Sequence, residues 1–146
     1  MRYFSKKEFG QSWQHMDPRL LDLLDEWRHR LGFPVEISAA RGSLARFLGS
    51  EKNSQHNVDK WGECRAADVM SRHFDTVEDM RRGYELALKV GFTGIGVAMI
   101  WRPHAGFHLD VRKDREVGAP AKWGYALIDG VQKTVGIDVV LGGVRD

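Results

Sequence analysis

The sequence predicts an α+β fold in one domain over residues 1–146, with a small antiparallel sheet flanked by helices. Three observations point there. Two segments repeat apolar residues at helical spacing, several short runs are apolar or alternate as strands do, and those strands mostly neighbour one another in the chain. That order suits an antiparallel sheet better than a series of βαβ units.

Asp17-Pro18 opens the first helix, with Asp as cap, Pro at the first helical position, and Leu20, Leu23, Leu24, Trp27 and Leu31 in register until Gly32. "PVEISAA" from Pro34 alternates Val35 and Ile37 on one face and reads as a strand leading into Arg41. Between Arg41 and Asn53 the pattern is mixed and predicts a loop with one turn of helix. "RAADVM" is a strand. Thr76 and Asp79 form a capping box for a second helix whose buried face is Val77, Met80, Tyr84, Ala87 and Leu88, closed by Gly91. "GIGVAMIW" and "GFHLDVR" follow as strands joined through Arg102–Ala105, and Asp129-Gly130 turns "YALI" into "VQKTV".

A chain of 146 residues with 42% hydrophobic and 29% charged residues buries a real core and is not disordered. Its 22 basic and 20 acidic side chains leave a charge of +2 spread along the chain, which gives no footprint for nucleic acid. A single cysteine, Cys64, excludes a disulfide framework and a multi-cysteine metal site. The N-terminal "MRYFSKKEFG" lacks the apolar core of a signal peptide, and no run is long enough to span a bilayer. The expectation is a chain suited to a reducing cytoplasm.

The chemistry concentrates in two places. In "GFHLDVR" strict alternation sends Phe107, Leu109 and Val111 to one face and His108, Asp110 and Arg112 to the other. In "RAADVM" the acid Asp68 ends an apolar run, and a buried carboxylate needs a partner or a metal. His56, Asp68 and His108 make a two-histidine, one-carboxylate set of the kind that holds catalytic zinc and leaves a fourth position open, although iron or manganese also accepts such ligands. Arg41, Ser54 and Asp110 can orient those ligands or bind a substrate carboxylate.

The ordered motifs Ser38 to Arg41, Ser54-Gln55-His56, Ala66-Ala67-Asp68 and His108-Leu109-Asp110 resemble the zinc D-alanyl-D-alanine carboxypeptidase and L-alanyl-D-glutamate endopeptidase family of peptidoglycan peptidases, which includes many phage endolysins. The resemblance runs from the first helix to about Trp123. It implies a hedgehog-like peptidase fold, Zn2+ on His56, Asp68 and His108, Arg41 beside the substrate carboxylate or carbonyl, and cleavage of an amide in a peptidoglycan stem or cross-link peptide. Zinc in that role polarises the carbonyl and acidifies a water.

Two departures stand out. The loop "NVDKWGECRAA" between the first His and the Asp is longer than the family's. Where many members carry a general base, three residues before the last ligand His, this chain has Ala105. His104 is the nearest replacement, with Glu63 and Asp59 on the inserted loop behind it. His15, His29 and His73 have no companions at ligand spacing. Trp27 is core, Trp61 and Trp101 are packing residues with a possible stacking role, and Cys64 is an incidental thiol. The expected function is a phage endolysin or virion-associated lysin acting on the wall after release or within a virion. The alternative is a non-catalytic virion structural or cell-wall-binding module on the same fold.

Overall fold

The computed structural model describes residues 1–142. Two short segments that the periodicity does not reveal come first, a one-turn helix α1 (Lys6–Phe9) and a 3-10 stretch over Gly10–His15. Helix α2 (Pro18–Leu31) follows as expected: the Asp17 carboxylate accepts the Arg19 N–H at 2.8 Å, and Gly32 closes the last turn. Strand β1 is only Glu36–Ile37. Residues 41–53 form turns with no helix. The helical turn lies later, as α3 (Val58–Trp61) inside the long loop.

Strand β2 (Ala66–Met70) and helix α4 (Val77–Val90) come next, the latter opened by the expected reciprocal cap, Asp79 N–H to Thr76 Oγ1 at 3.1 Å and Thr76 N–H to Asp79 Oδ2 at 2.9 Å. The remaining elements are β3 (Gly94–Ala98), β4 (Gly106–Asp110), β5 (Ala121–Ile128), β6 (Val131–Val135) and α5 (Ile137–Leu141). Within α4 the buried positions include Met80, Gly83, Tyr84 and Ala87; Val77, expected on that face, is exposed in the first turn, before the helix reaches the sheet.

The strands form one six-stranded sheet in the order β1-β2-β4-β3-β5-β6. It is mixed, which corrects the expected antiparallel sheet: β3 and β5 pair in parallel, and every other neighbouring pair is antiparallel. The reason is the connection after β4. Asp110 ends β4 opposite Gly94, the start of β3, and the chain passes β3 to enter β5 at Ala121, also opposite Gly94. Returning at the same end while skipping one strand makes β5 parallel to the strand it skipped.

One face of the sheet packs on α2 and α4. Trp27, with no exposed surface, stands at the centre, its ring against Phe107 at 5.5 Å, Phe74 at 5.9 Å and Phe92 at 6.5 Å, and its Nε1–H donating to the Gly83 carbonyl at 3.0 Å. The other face is set by register. Asp68, His108, Gly96 and Trp123 stand side by side across β2, β4, β3 and β5. Among the described residues no helix is long and apolar enough to cross a membrane.

The close approach of α4 to this core makes a test. Gly83→Ala gains about 1 kcal/mol of helix propensity. It also places a Cβ 2.7 Å from Phe107 Cζ, in a ring cluster with no room to yield, where overpacking costs about 1–3 kcal/mol. Urea denaturation is expected to show a net loss of about 1–2 kcal/mol, whereas a gain would mean that the packing between α4 and the sheet is loose.

Candidate metal centre

His56, Asp68 and His108 come from a loop and two adjacent strands, and one ligand atom of each lies within 4.8 Å of the others. The loop is held firmly. Arg46 N–H donates to the His56 carbonyl and Val58 N–H to the Arg46 carbonyl, both at 2.9 Å. The Asp68 backbone is gripped from both sides by Ser43 and Ser38, again at 2.9 Å. Asn57, fully buried, accepts from Leu48 N–H and donates to the Gly49 and Lys52 carbonyls, which closes the 46–57 segment on itself.

The outer nitrogen of each imidazole is occupied. His56 Nδ1 faces the Leu44 carbonyl at 2.7 Å, and because a carbonyl can only accept, Nδ1 carries the proton. Burial lowers the His56 pKa, Asp68 opposes this, and the His108 charge adds to the lowering. The ring is therefore neutral and its Nε2 presents a lone pair. That buried Nε2 makes no hydrogen bond and lies 3.3 Å from Asp68 Oδ1, itself an acceptor. Two lone pairs facing each other out of water repel unless a cation lies between them.

His108 Nε2 donates to Asp110 Oδ2 at 2.7 Å and Nδ1 to Asp68 Oδ1 at 3.2 Å. Burial works against its charged form, but the hydrogen bonds and charges of Asp110 and Asp68 outweigh it and raise its pKa to about 9. Burial likewise pushes both carboxyls up. Hydrogen bonding from His108 to Asp68, and from Arg112 and His108 to Asp110, brings them well below the ordinary carboxylate range. Arg112 grips Asp110 with two parallel bonds at 2.9 and 2.7 Å.

These residues fit a zinc ion. A tetrahedron with bonds of about 2.0–2.1 Å has edges of about 3.3 Å. The two nitrogen-to-Oδ1 separations, 3.3 and 3.2 Å, have that length. Asp110 behind His108 and the Leu44 carbonyl behind His56 are the outer partners that fix ring orientation in such sites.

Asp68 forms part of the wall of a cavity of about 310 Å³, with Arg41, Arg46, Trp101, Arg102 and Gln132 around it. Arg46 Nη2 stands 3.7 Å from Asp68 Oδ2. A larger cavity of about 870 Å³ opens between α4, α5 and the 115–122 segment, with Trp123, the neighbour of His108, in its wall. The smaller one is the relevant cleft because a ligand carboxylate lies in its wall.

The other expected residues divide. Asp110 touches a ligand directly, and Arg41 lines the cleft. Ser54 Oγ accepts the His56 backbone N–H at 3.3 Å and so shapes the loop without touching the ligand atoms. His104 lines a separate cavity of about 260 Å³ with Glu36, Ser71 and Arg72. Asp59 accepts the Gly49 N–H, and Glu63 pairs with Arg65 at 3.5 Å. Trp61 packs under Arg65 and donates to the Ser54 carbonyl. Cys64 is buried, donates to the Ala66 carbonyl, and has its thiol pushed up to about 11 by burial, so it is no nucleophile.

Sequence reasoning missed Arg46, Trp123 and Tyr125. Trp123 stacks on His108 at 5.1 Å with Arg112 5.2 Å above its ring, and Tyr125 lies between Trp123 and Trp101. Burial pushes the Tyr125 phenol up to about 12. The usable signal was in "GIGVA". A Cβ on Gly94 would overlap the Asp110 carboxylate, and one on Gly96 would lie 2.6 Å from Trp123 Nε1. Strand β3 has small residues there because its neighbours' side chains lie across it.

Two outcomes check this centre. Without metal, the stability that His108 contributes as a cation is complete below pH 6.5 and is lost as the pH rises through about 9. A metal takes the place of the Nδ1 proton and binds better as the pH rises, so zinc is expected to stabilise thermal melts more at pH 9 than at pH 6.5. Equal stabilisation at both would remove His108 from the ligand set. Asp110→Asn is expected to weaken zinc about 10–100-fold in chelator competition.

Comparison with protein-family models, with curated proteins and with solved structures returned no match to this chain, so its chemistry rests on the geometry of this centre.

Proposed function

We propose that the protein is a zinc-dependent peptidoglycan peptidase that hydrolyses an amide in a stem or cross-link peptide. The observation that carries this reading is the buried, hydrogen-bond-free Nε2 of His56, set at tetrahedral edge length from Asp68 Oδ1 in the wall of an open cleft. Zinc held there by His56, Asp68 and His108 would supply Lewis acidity, polarising a carbonyl and making water more acidic. Everything else falls to the chain. Asp110, anchored by Arg112, holds the His108 ring so that Nδ1 faces Asp68. Arg41 supplies positive charge for a substrate carboxylate, and Arg102 and Arg46 add to it, so the cleft suits an acidic peptide.

As a lysin, the protein would act on the wall after release from the producing cell or as part of a virion. Its ligand set supports zinc first, while two imidazoles and one carboxylate are also acceptable to iron or manganese.

A second reading keeps the metal and drops catalysis: a virion structural or cell-wall-binding module. One observation favours it. Among the described residues, the cleft has no imidazole in its wall and no carboxylate other than Asp68, and His104, the base expected by position, faces a different cavity.

Metal content of the purified protein, paired with a peptidoglycan digest assayed for new amino termini, separates the two. The peptidase reading expects about one zinc per chain and new termini, with both lost in Asp68→Ala while the fold persists. Zinc without new termini selects the binding module. Full zinc occupancy in Asp68→Ala refutes the site.

A further inference from the structure

We propose that Arg46 is a positioning residue of the metal centre: its guanidinium engages Asp68 Oδ2, so that Asp68 binds the metal through Oδ1 alone and a coordination position stays free. The inference rests on the metal ligands of the reading above and not on the reaction assigned to them.

The two oxygens of Asp68 face different neighbours. Oδ1 lies 3.3 Å from His56 Nε2 and 3.2 Å from His108 Nδ1, whereas Oδ2 lies 3.7 Å from Arg46 Nη2. A carboxylate that binds through one oxygen takes one position of a tetrahedron, and one that chelates through both takes two. The neighbour of Oδ2 therefore decides whether the fourth position is left for water or substrate.

Arg46 reaches Asp68 from the end of a short frame, residues 42–46, whose successive carbonyls hold the site together. Arg46 Nε donates to the Gly42 carbonyl at 2.6 Å, which fixes the side chain. Residue 42 is glycine for two reasons: its φ is +82°, and a Cβ there would lie 2.8 Å from that Nε. The Ser43 carbonyl accepts the Asp68 backbone N–H at 2.9 Å, and the Leu44 carbonyl accepts from His56 Nδ1 at 2.7 Å. The Arg46 backbone bonds to the His56 carbonyl and the Val58 N–H, both at 2.9 Å. Apart from the bond made by Nε, none of these contacts uses the Arg46 side chain, so replacing it leaves the frame and the His56 loop tied.

Charge separates positioning from bracing. A guanidinium beside the ligands repels a metal dication. If Arg46 served only to brace the loop, its removal would loosen the ligands and weaken metal binding. As the residue that keeps Oδ2 away from the metal, it has the opposite effect when removed: the repulsion disappears, Asp68 chelates through both oxygens, and the metal is held more tightly at the cost of its free position.

The test uses the full chain with Arg46→Met, which keeps an unbranched stem without charge, and Arg46→Lys, which keeps the charge. In chelator competition R46M is expected to bind zinc on the order of 10-fold more tightly than wild type, and R46K to match wild type. Cobalt(II) in place of zinc reports the coordination number, because four-coordinate cobalt absorbs visible light more strongly than five-coordinate cobalt. Wild type and R46K are expected to share an intense band, and R46M to lose intensity. Weaker zinc binding by R46M, or a cobalt band that it leaves unchanged, overturns the role of Arg46. A wild type that binds neither metal overturns the metal centre and this inference with it. Because no substrate enters these measurements, a metal-loaded wild type that releases no new termini strikes the peptidase reading alone, and the cobalt spectra still decide Arg46.

Discussion

The organising constraint in this protein is the confrontation of two acceptors, His56 Nε2 and Asp68 Oδ1, 3.3 Å apart and out of water. Neither can relieve the other. The Leu44 carbonyl commits the His56 proton to the far side of the ring, and burial together with the neighbouring His108 keeps a second proton off it. Such an arrangement costs free energy unless a positive charge shares it, and His108 as an imidazolium covers only Asp68. The backbone around the pair is correspondingly tied, with the 38–46 segment bonded across β2 and the His56 loop closed by Asn57.

From that pair the layers of the site build outward. Asp110 is fully buried, which an isolated carboxylate could not sustain; it is held by the Arg112 fork on one side and by His108 on the other. Room for it exists because β3 offers Gly94 at the crossing point, and room for Trp123 exists because β3 offers Gly96. A strand of small residues in the middle of the sheet is thus what allows side chains from β4 and β5 to lie flat over it and form one wall. The burial of Asp110 behind His108 and the packing of Trp123 on the His108 ring are consequences of the same omission of side chains.

The cleft is unequal in charge. Among the described residues three guanidinium groups border it against one carboxylate, Asp68, which is also one of the three candidate metal ligands. This favours acidic ligands whichever reading of function holds. The two readings part on proton transfer, because the groups nearest in sequence that could accept a proton are engaged elsewhere, Asp59 with Gly49, Glu63 with Arg65, and His104 in its own cavity.

Local patterns were legible from the sequence because they depend on neighbours in the chain. Asp17 and Thr76 cap the helices they begin, the "GFHLDVR" alternation puts His108 and Asp110 opposite Phe107 and Leu109, and the ligand types His56, Asp68 and His108 could be picked by chemistry and order. What the sequence by itself determined, then, is the helix pair, the strand faces and the ligand inventory. Only the tertiary structure decided how distant residues meet. The parallel pairing of β3 with β5 follows from which strand the 111–120 connection skips, and no local periodicity records that. The same pairing brings Trp123 against His108, and the backbone bonds between Arg46 and the His56–Val58 loop leave Arg46, an ordinary loop arginine in sequence, beside Asp68. The one turn of helix expected within 41–53 forms instead at Val58–Trp61, where Asn57 can cap it and Trp61 can pack under Arg65. In each case the deciding energy is a contact between residues far apart in the chain.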